Sequence, residues 1–201
     1  MSQPVPAPLT SATIRSGIAA VDRYLDTGYA TVPGMSSRFA AAICCGLMRI
    51  QRDLGVMGHV AEIGAFEGRF FIALAHALKG GEKALGMDIF EWPNPEVKDR
   101  FEANCARHGV AADARITWKV NSNETTADAL LAKLGGGKVR LFHIDGEHSR
   151  RALSKDLELA TQVIDEAGLI VLDDMLHPGY PTLMVAVQDY LQRHPEMCVL
   201  C

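Results

Sequence analysis

The order of strands and helices constrains this sequence most. From residue 59 onward, short apolar runs typical of buried strands alternate with stretches of helical periodicity. The pattern predicts six strands, at 59–63, 84–89, 116–120, 139–144, 169–172 and 197–201, and five helices, at 69–78, 97–108, 126–134, 149–165 and 182–193. Regular alternation indicates βαβ units with right-handed crossovers. We therefore expect an α/β fold: a Rossmann-like, doubly wound, mostly parallel sheet with helices on both faces.

Residues 1–58 follow a different pattern, which predicts an N-terminal tail and a helical cap. Prolines oppose regular structure in the first ten residues. A first amphipathic helix should run from Ile14 to Leu25 and stop at Gly28, and a second should cover 38–53 after Ser36 or Ser37 as its N-cap. Neither helix could bury its apolar face alone. We expect both to pack on a core domain formed by residues 59–201.

Composition and charge exclude several classes of protein. Apolar residues make up 48% of the 201 residues, so the chain can bury a core and is not disordered. With 20 basic and 24 acidic residues and no basic run, nucleic-acid and membrane-surface binding are not expected. No apolar run approaches the ~20 residues of a membrane span, and no secretory signal is visible. These features predict a cytoplasmic protein with reduced cysteines.

The first strand is followed by a glycine turn, and the second ends in an acid. The turn reads Glu62-Ile-Gly-Ala-Phe-Glu-Gly68, and Asp88 follows 24 residues after Gly64. NAD-binding turns place a glycine where this chain has Phe66, so that backbone can approach a pyrophosphate. S-adenosylmethionine has no phosphate and carries two positive centres, which acidic neighbours stabilise. The turn favours S-adenosylmethionine, although its glycines could merely allow close helix packing.

Three carboxylates end the fourth and fifth strands, at one edge of the predicted sheet. They are Asp145, Asp173 and Asp174. Clustered carboxylates are costly unless a cation neutralises them, and an all-oxygen ligand set favours Mg²⁺, then Ca²⁺ or Mn²⁺. The alternative is that these aspartates only cap turns and bind backbone.

His148 is the leading candidate for a general base. It follows Asp145 by three residues at the start of a predicted helix, where its side chain could turn back over the strand ends. An unperturbed imidazole, with a pKa of about 6.5, is mostly neutral at working pH and can accept a proton. Glu147, His143 and His177 are weaker candidates, and the plain alternative is a surface or capping histidine.

Three motifs together resemble a known family. They are Glu-Ile-Gly-Ala-Phe-Glu-Gly at 62–68, Ile-Asp-Gly-Glu-His-Ser at 144–149 and Leu-Asp-Asp-Met at 172–175. They are similar to those of class I S-adenosylmethionine-dependent methyltransferases. The resemblance is strongest to the metal-dependent group of cephalosporin-hydroxylase-like proteins and macrolide-sugar O-methyltransferases.

The resemblance implies a Mg²⁺-dependent O-methyltransferase that acts on a hydroxyl of a small molecule, such as a sugar, a natural product or a catechol. It implies that His148 deprotonates the acceptor and that Asp88 binds the cofactor ribose. The remaining roles that it implies are metal binding by Asp145, Asp173 and Asp174, and cofactor binding by Glu62, Gly64, Ala65, Phe66, Gly68, Asn121, Ser122 and Asp145.

Two departures from the family pattern leave alternatives open. Asn121 and Ser122 stand where relatives commonly have Gly-Asp, so either could contact adenine. The family's sheet also has a seventh, antiparallel strand, so we expect a missing segment or a partner subunit in a homo-oligomer to cover the last strand. The alternative functions are a catalytically inactive methyltransferase-like binding protein and a NAD-dependent oxidoreductase.

Overall fold

The computed structural model describes residues 14–200, which form seven helices and five strands. The helices are α1 (Ala19–Thr27), α2 (Arg38–Asp53), α3 (Arg69–His76), α4 (Val97–Arg107), α5 (Ala127–Leu134), α6 (Arg150–Val163) and α7 (Thr182–Arg193). The strands are β1 (His59–Ile63), β2 (Ala84–Asp88), β3 (Arg115–Lys119), β4 (Val139–Ile144) and β5 (Ile164–Leu172). Within this part of the chain, no helix has the length and apolarity needed to cross a membrane.

The five strands form one parallel sheet in the order β3-β2-β1-β4-β5. The chain moves outward from β1 to β3 and then returns to the other side of β1 with β4. The order therefore reverses between β1 and β4, and in open α/β sheets ligands bind beside such a switch point, at the carboxyl ends of the strands. The sheet confirms the predicted Rossmann-like, doubly wound fold.

Side chains of β1 alternate between two apolar layers. Val60 packs in a layer with residues of α1, α2, α3 and α4, whereas Ala61 and Ile63 pack in a layer with residues of α5, α6 and α7. This alternation follows from the two-residue period of a strand. Helices therefore cover both faces, and the face under the N-terminal helices is also the face of Glu62.

The N-terminal helices are joined to the sheet by polar contacts as well as apolar ones. Arg140 of β4 is fully buried and donates from two nitrogens to the Glu82 carboxylate, at 2.8 and 2.9 Å. It also donates to the carbonyl of Met48 in α2, and Gln51 donates back to the carbonyl of Arg140. A buried arginine needs such a complete set of partners, because an unpaired charge in the core is strongly destabilising.

Two predicted elements differ from their expected bounds by four or more residues at the start. The helix expected from Ile14 begins at Ala19, because Gly17 adopts a φ of +76° and the Ser16 hydroxyl accepts from the Ile18 amide. The strand expected at 169–172 begins at Ile164, and residues 165–168 bulge out before pairing with β4 resumes at Leu169.

The prediction of a sixth strand at 197–201 is wrong for residues 197–200, which the structure describes. Residues 197–200 form no strand, and Val199 and Leu200 are exposed. Apolar sequence alone does not make a strand, because its backbone needs a neighbouring strand for hydrogen bonds. Cys201 lies outside the described residues.

Candidate active site

A cavity of about 670 Å³ lies at the carboxyl ends of the central strands. The turns after β1, β2, β3 and β4 form its floor, and the segment 33–36 before α2 reaches it from the N-terminal cap. Most of the predicted site residues line it: Glu62, Gly64, Ala65, Phe66, Asp88, Asn121, Ser122, Asp145 and His148. Gly68, Asp173 and Asp174 do not belong to the lining.

The turn after β1 is held by backbone contacts that require glycine. Gly64 has a φ of +84°, and its amide donates to the carbonyl of Met87 in β2. A Cβ atom at this position would lie 1.9 Å from the carbonyl oxygen of Asp145. No side chain can be accommodated at that distance, so Gly64 allows the turns after β1 and β4 to touch. Gly68, with a φ of +92°, instead begins α3 against the ring of Phe101.

Asp88 organises the backbone around the turn. One carboxylate oxygen accepts from the Phe66 amide at 2.8 Å, and the other accepts from the Phe90 amide at 2.7 Å. Both phenylalanines have a positive φ, which a bulky residue adopts only where its surroundings impose it. Each carboxylate oxygen can accept one further hydrogen bond, and Asp88 lines the cavity.

Glu62 and His143 form a buried pair beneath the cavity. They are register partners on β1 and β4, and His143 Nδ1 lies 2.9 Å from Glu62 Oε1. Phe70 of α3 stacks on the His143 ring at 4.1 Å. Burial raises the pKa of Glu62, and His143 offsets this only in part. Burial also lowers the pKa of His143, but Glu62, Asp145 and Asp173 together outweigh it and leave that pKa raised. The 2.9 Å distance is that of a hydrogen bond, which couples the protonation of the two side chains.

The second carboxylate oxygen of Glu62 is left without a partner. Oε2 is buried, lies in a residue that lines the cavity, and makes no hydrogen bond to any described residue. A buried acceptor without a donor is costly, so this atom is suited to a donor supplied by a ligand.

A second group of side chains meets at the end of β4, and we call these three residues the acidic group: Asp145, His148 and Asp174. Ligand atoms of Asp145, His148 and Asp174 lie within 4.8 Å of one another. His148 Nε2 is 2.9 Å from Asp174 Oδ2 and 3.6 Å from Asp145 Oδ1, and it forms a hydrogen bond with neither. Burial raises the pKa of Asp145 to about 7, and the nearby carboxylates of Asp173, Glu62 and Asp174 add to the effect of burial.

Asp173 points away from this group. Its Oδ1 accepts from the amide of Asp174, and its Oδ2 lies 4.0 Å from His143 Nε2. The structure therefore groups His148 with two of the three aspartates that the sequence predicts as metal ligands, and it places the third beside the Glu62–His143 pair. The positive φ of Asp174, +56°, turns its side chain toward His148 while Asp173 faces His143.

A stack of three rings holds His148 in place. Its ring lies 4.3 Å from that of Tyr180 with an interplanar angle of 9°, and His177 stacks on Tyr180 at 4.6 Å. His177 is not among the residues that line the cavity. Glu147 lines the cavity, but its side chain is exposed to solvent. Of the alternative bases named above, none combines the position and the restraint of His148.

Helix α6 holds the turn after β3. Asn121 uses its side chain within this turn, since Oδ1 accepts from the Asn123 amide and Nδ2 donates to Glu124. Asn123 donates to Asp156 of α6 at 3.1 Å, and Asp156 is buried. Ser122 accepts a long hydrogen bond from Asn123 Nδ2, at 3.4 Å, and both Asn121 and Ser122 line the cavity.

Sequence reasoning missed several residues that line the cavity, and four of them have large or charged side chains that could contact a ligand. These four are Met35, Arg69, Trp92 and Tyr180. Three of them come from loops whose approach to the strand ends depends on tertiary packing, which no local pattern reports. Arg69 could have been noticed, because it directly follows Gly68 of the glycine turn.

Comparison with known proteins decides the family. Residues 61–175, more than half of the chain, match the model of a family described as a methyltransferase domain. The chain belongs to this methyltransferase family. This confirms the expected class of S-adenosylmethionine-dependent methyltransferases and sets aside the NAD-dependent alternative. No curated protein matches the sequence.

Solved structures of methyltransferases share the fold. The O-methyltransferase NovP superposes with a TM-score of 0.66 at 12% identity, over 78% of this chain and 72% of NovP. Cofactor-bound Rv0187 from MTB gives 0.59 at 23% identity, over 89% and 77%. The O-methyltransferase from Bacillus cereus in complex with SAH gives 0.56 at 16% identity, over 94% and 80%. At these identities the likeness concerns the fold.

Proposed function

We propose that the protein is a Mg²⁺-dependent O-methyltransferase that transfers the methyl group of S-adenosylmethionine to a hydroxyl of a small molecule. One observation supports this most directly. Asp145 and His148 of the acidic group line the same cavity as the glycine turn. A cofactor at the turn and an acceptor at the acidic group would therefore face each other, as methyl transfer requires.

The cofactor assignment is supported by the charges of the glycine turn. The unpartnered Oε2 of Glu62 is suited to the ammonium of the methionine moiety, and the carboxylate of Asp88 to the ribose hydroxyls. Ala65 and Phe66 contribute backbone to the same turn, and Ser122 or Asn121 would contact adenine. The similar structures agree with this assignment. NovP is described as an O-methyltransferase, Rv0187 as cofactor-bound, and the Bacillus cereus O-methyltransferase as a complex with SAH.

The acidic group fits a divalent cation. Two carboxylates leave room for acceptor oxygens around Mg²⁺, which commonly binds proteins through only one or two carboxylates. Asp145 and Asp174 are suited to bind the cation directly. Asp173, whose Oδ2 lies 4.0 Å from His143 Nε2, would add negative charge beside the site without binding the cation. When bound, such a cation lowers the pKa of a coordinated hydroxyl and fixes its orientation.

His148 would accept the acceptor's proton at Nε2. This nitrogen is close to two carboxylates without being hydrogen-bonded to either, and Tyr180 fixes its ring. General-base catalysis of this kind contributes about 10²- to 10⁴-fold to a rate. If His148 were instead a metal ligand, the nitrogen donor would favour Mn²⁺ over Mg²⁺.

Binding measurements test the cofactor. S-adenosylmethionine and S-adenosylhomocysteine should raise the melting temperature and NAD should not, because only a ligand that binds the native state stabilises it. A NAD shift without an S-adenosylmethionine shift would contradict the proposal.

Methyl transfer to diol and catechol acceptors tests the metal and the base. EDTA should abolish turnover and Mg²⁺ restore it, and Asp174→Asn should need more Mg²⁺ while keeping its affinity for S-adenosylhomocysteine. Asp113→Asn, at an exposed site away from the cavity, is the matched control. His148→Ala should lower kcat most for weakly acidic hydroxyls. Unchanged turnover of EDTA-treated protein would remove the metal from the mechanism.

A further inference from the structure

Tyr180 is fixed on both faces of its ring. His148 stacks on it at 4.3 Å with an interplanar angle of 9°, and His177 stacks on it at 4.6 Å with an angle of 25°. Within residues 14–200 the two histidines make no ring contact with each other, so they cover opposite faces of the tyrosine. A ring held between two others keeps one orientation, and the fold therefore sets the position of its hydroxyl.

The loop that carries Tyr180 is closed by its own hydrogen bonds. The His177 amide donates to the Asp174 carbonyl, and the Tyr180 amide donates to the His177 carbonyl, each at 3.0 Å. The ring of His177 also accepts at Nδ1 from the Gly179 amide. At the other end of the loop, the Tyr180 carbonyl accepts from the Leu183 amide of α7 at 3.1 Å. These bonds connect Tyr180 to the end of β5 and to the start of α7.

The hydroxyl of Tyr180 makes no hydrogen bond to any residue that the structure describes. In contrast, the hydroxyls of the other three tyrosines, Tyr24, Tyr29 and Tyr190, each have a described partner. Tyr180 lines the cavity, and histidines cover both of its faces. The part of the side chain that is left to contact a ligand is the edge of the ring with its hydroxyl.

Tyr180 lies beside the acidic group without belonging to it. Nε2 of His148 faces the carboxylates of Asp145 and Asp174, whereas the face of the same ring contacts Tyr180. In the proposed function the acidic group engages the reacting hydroxyl, so Tyr180 would contact a different oxygen of the same acceptor. A phenol hydroxyl is neutral and can both donate and accept a hydrogen bond, which suits another hydroxyl.

We propose that Tyr180 determines acceptor specificity, because its hydroxyl binds a third acceptor oxygen beyond the reacting hydroxyl and its neighbour. The inference rests on the proposed function, since it names the class of acceptor for the same site: a molecule with three neighbouring hydroxyls. A diol or a catechol lacks the third oxygen. The bond should give such a triol an advantage in affinity of about two- to tenfold, the range expected for a neutral hydrogen bond.

Two pairs of acceptors that differ by one hydroxyl test this selectivity. They are catechol with pyrogallol, and vicinal cyclohexanediol with vicinal cyclohexanetriol. Calorimetry measures their affinities for the protein with S-adenosylhomocysteine and Mg²⁺, where no methyl group can be transferred. The wild type should bind the triol of a pair more tightly. Tyr180→Phe keeps the ring between the two histidines and should lower the triol-to-diol affinity ratio about two- to tenfold.

Tyr190→Phe is the matched control. Tyr190 of α7 also stacks on a histidine, His194 at 4.4 Å, but its hydroxyl is bonded to Thr161 and it does not line the cavity. This variant should leave the triol-to-diol ratio unchanged.

Tyr180→Leu separates the ring from the hydroxyl. It should lower the affinity ratio as much as Tyr180→Phe does. In methyl-transfer assays it should also lower kcat further than Tyr180→Phe for both members of a pair, because His148 loses the ring that stacks on it.

Three results would overturn the role of Tyr180 and leave the proposed function intact: no preference of the wild type for triols, an unchanged ratio in Tyr180→Phe, or an equal fall of the ratio in Tyr190→Phe. Wild-type protein that neither binds nor methylates any of the four acceptors would instead contradict the proposed function itself.

Discussion

Asp156 is a buried carboxylate whose negative charge should lower the free energy of unfolding. Asp156→Asn measures by how much. Burial raises its pKa from 3.8 to about 6, and Glu147 acts in the same direction, while Ser122, Asn123 and Lys155 lower it in part. One oxygen accepts from Asn123, and the other, Oδ2, is buried without a partner. Asparagine keeps an acceptor for Asn123 and removes the charge.

The sign follows from proton linkage. A carboxyl whose pKa is raised by folding costs nothing below its unfolded pKa, and its cost grows until the pH passes the folded pKa. A shift of about two units corresponds to about 3 kcal/mol above pH 6. About half of this cost is already present near pH 5, so wild-type Asp156 should cost about 1.5 kcal/mol more near pH 8 than near pH 5.

Urea unfolding of Asp156→Asn and wild type near pH 5 and near pH 8 measures this difference. The variant's free energy of unfolding, relative to wild type, should rise by about 1.5 kcal/mol between the two conditions. The cost of the amide's new buried donor does not depend on pH and cancels. Asp99→Asn, at an exposed position of α4, should show a much smaller change. A pH-independent difference would refute the argument that Asp156 is ionised in the core.

Three further substitutions test contacts of the fold by urea unfolding. Gly64→Ala places a Cβ 1.9 Å from the Asp145 carbonyl oxygen and should cost more than about 4 kcal/mol; near-wild-type stability would contradict the close approach. Arg140→Met should cost about 3 to 5 kcal/mol because it leaves the Glu82 carboxylate buried without its partner. Adding Glu82→Leu should recover part of that stability, whereas additive losses would mean that the two side chains do not interact. Tyr24→Phe should cost about 1 kcal/mol, since the hydroxyl donates to a backbone carbonyl of α3, and no change would mean that this bond has no net value.

The sequence predicted the central strands and the glycine turn well, because both have short-range signals. The bounds of β1 and β4 are as predicted, and Ser37 caps α2 through its hydroxyl. The turn after β1 needs glycines at fixed positions because of its local backbone geometry. Their spacing in the sequence therefore predicts the turn.

The acidic group was harder to predict in detail. That Asp145, His148 and Asp174 meet follows from parallel strands ending at one edge, which the alternation of elements implies. Aspartate tolerates a positive φ better than most residues, but the sequence does not indicate which of the two neighbouring aspartates adopts it, and that determines which one faces His148. The same limit applies to Arg69, whose partners on the cap are more than 30 residues away in sequence.

The contact between Gly64 and Asp145 makes the floor of the cavity intolerant of substitution, whereas the rim should tolerate it. A change in either strand-end turn displaces the other, so the proposed cofactor and acceptor sites cannot be altered separately there. The rim is different, since Met35 and Trp92 are 80% and 61% exposed and contribute little to the core. Directed evolution of acceptor range should therefore draw its useful variants from these two rim positions.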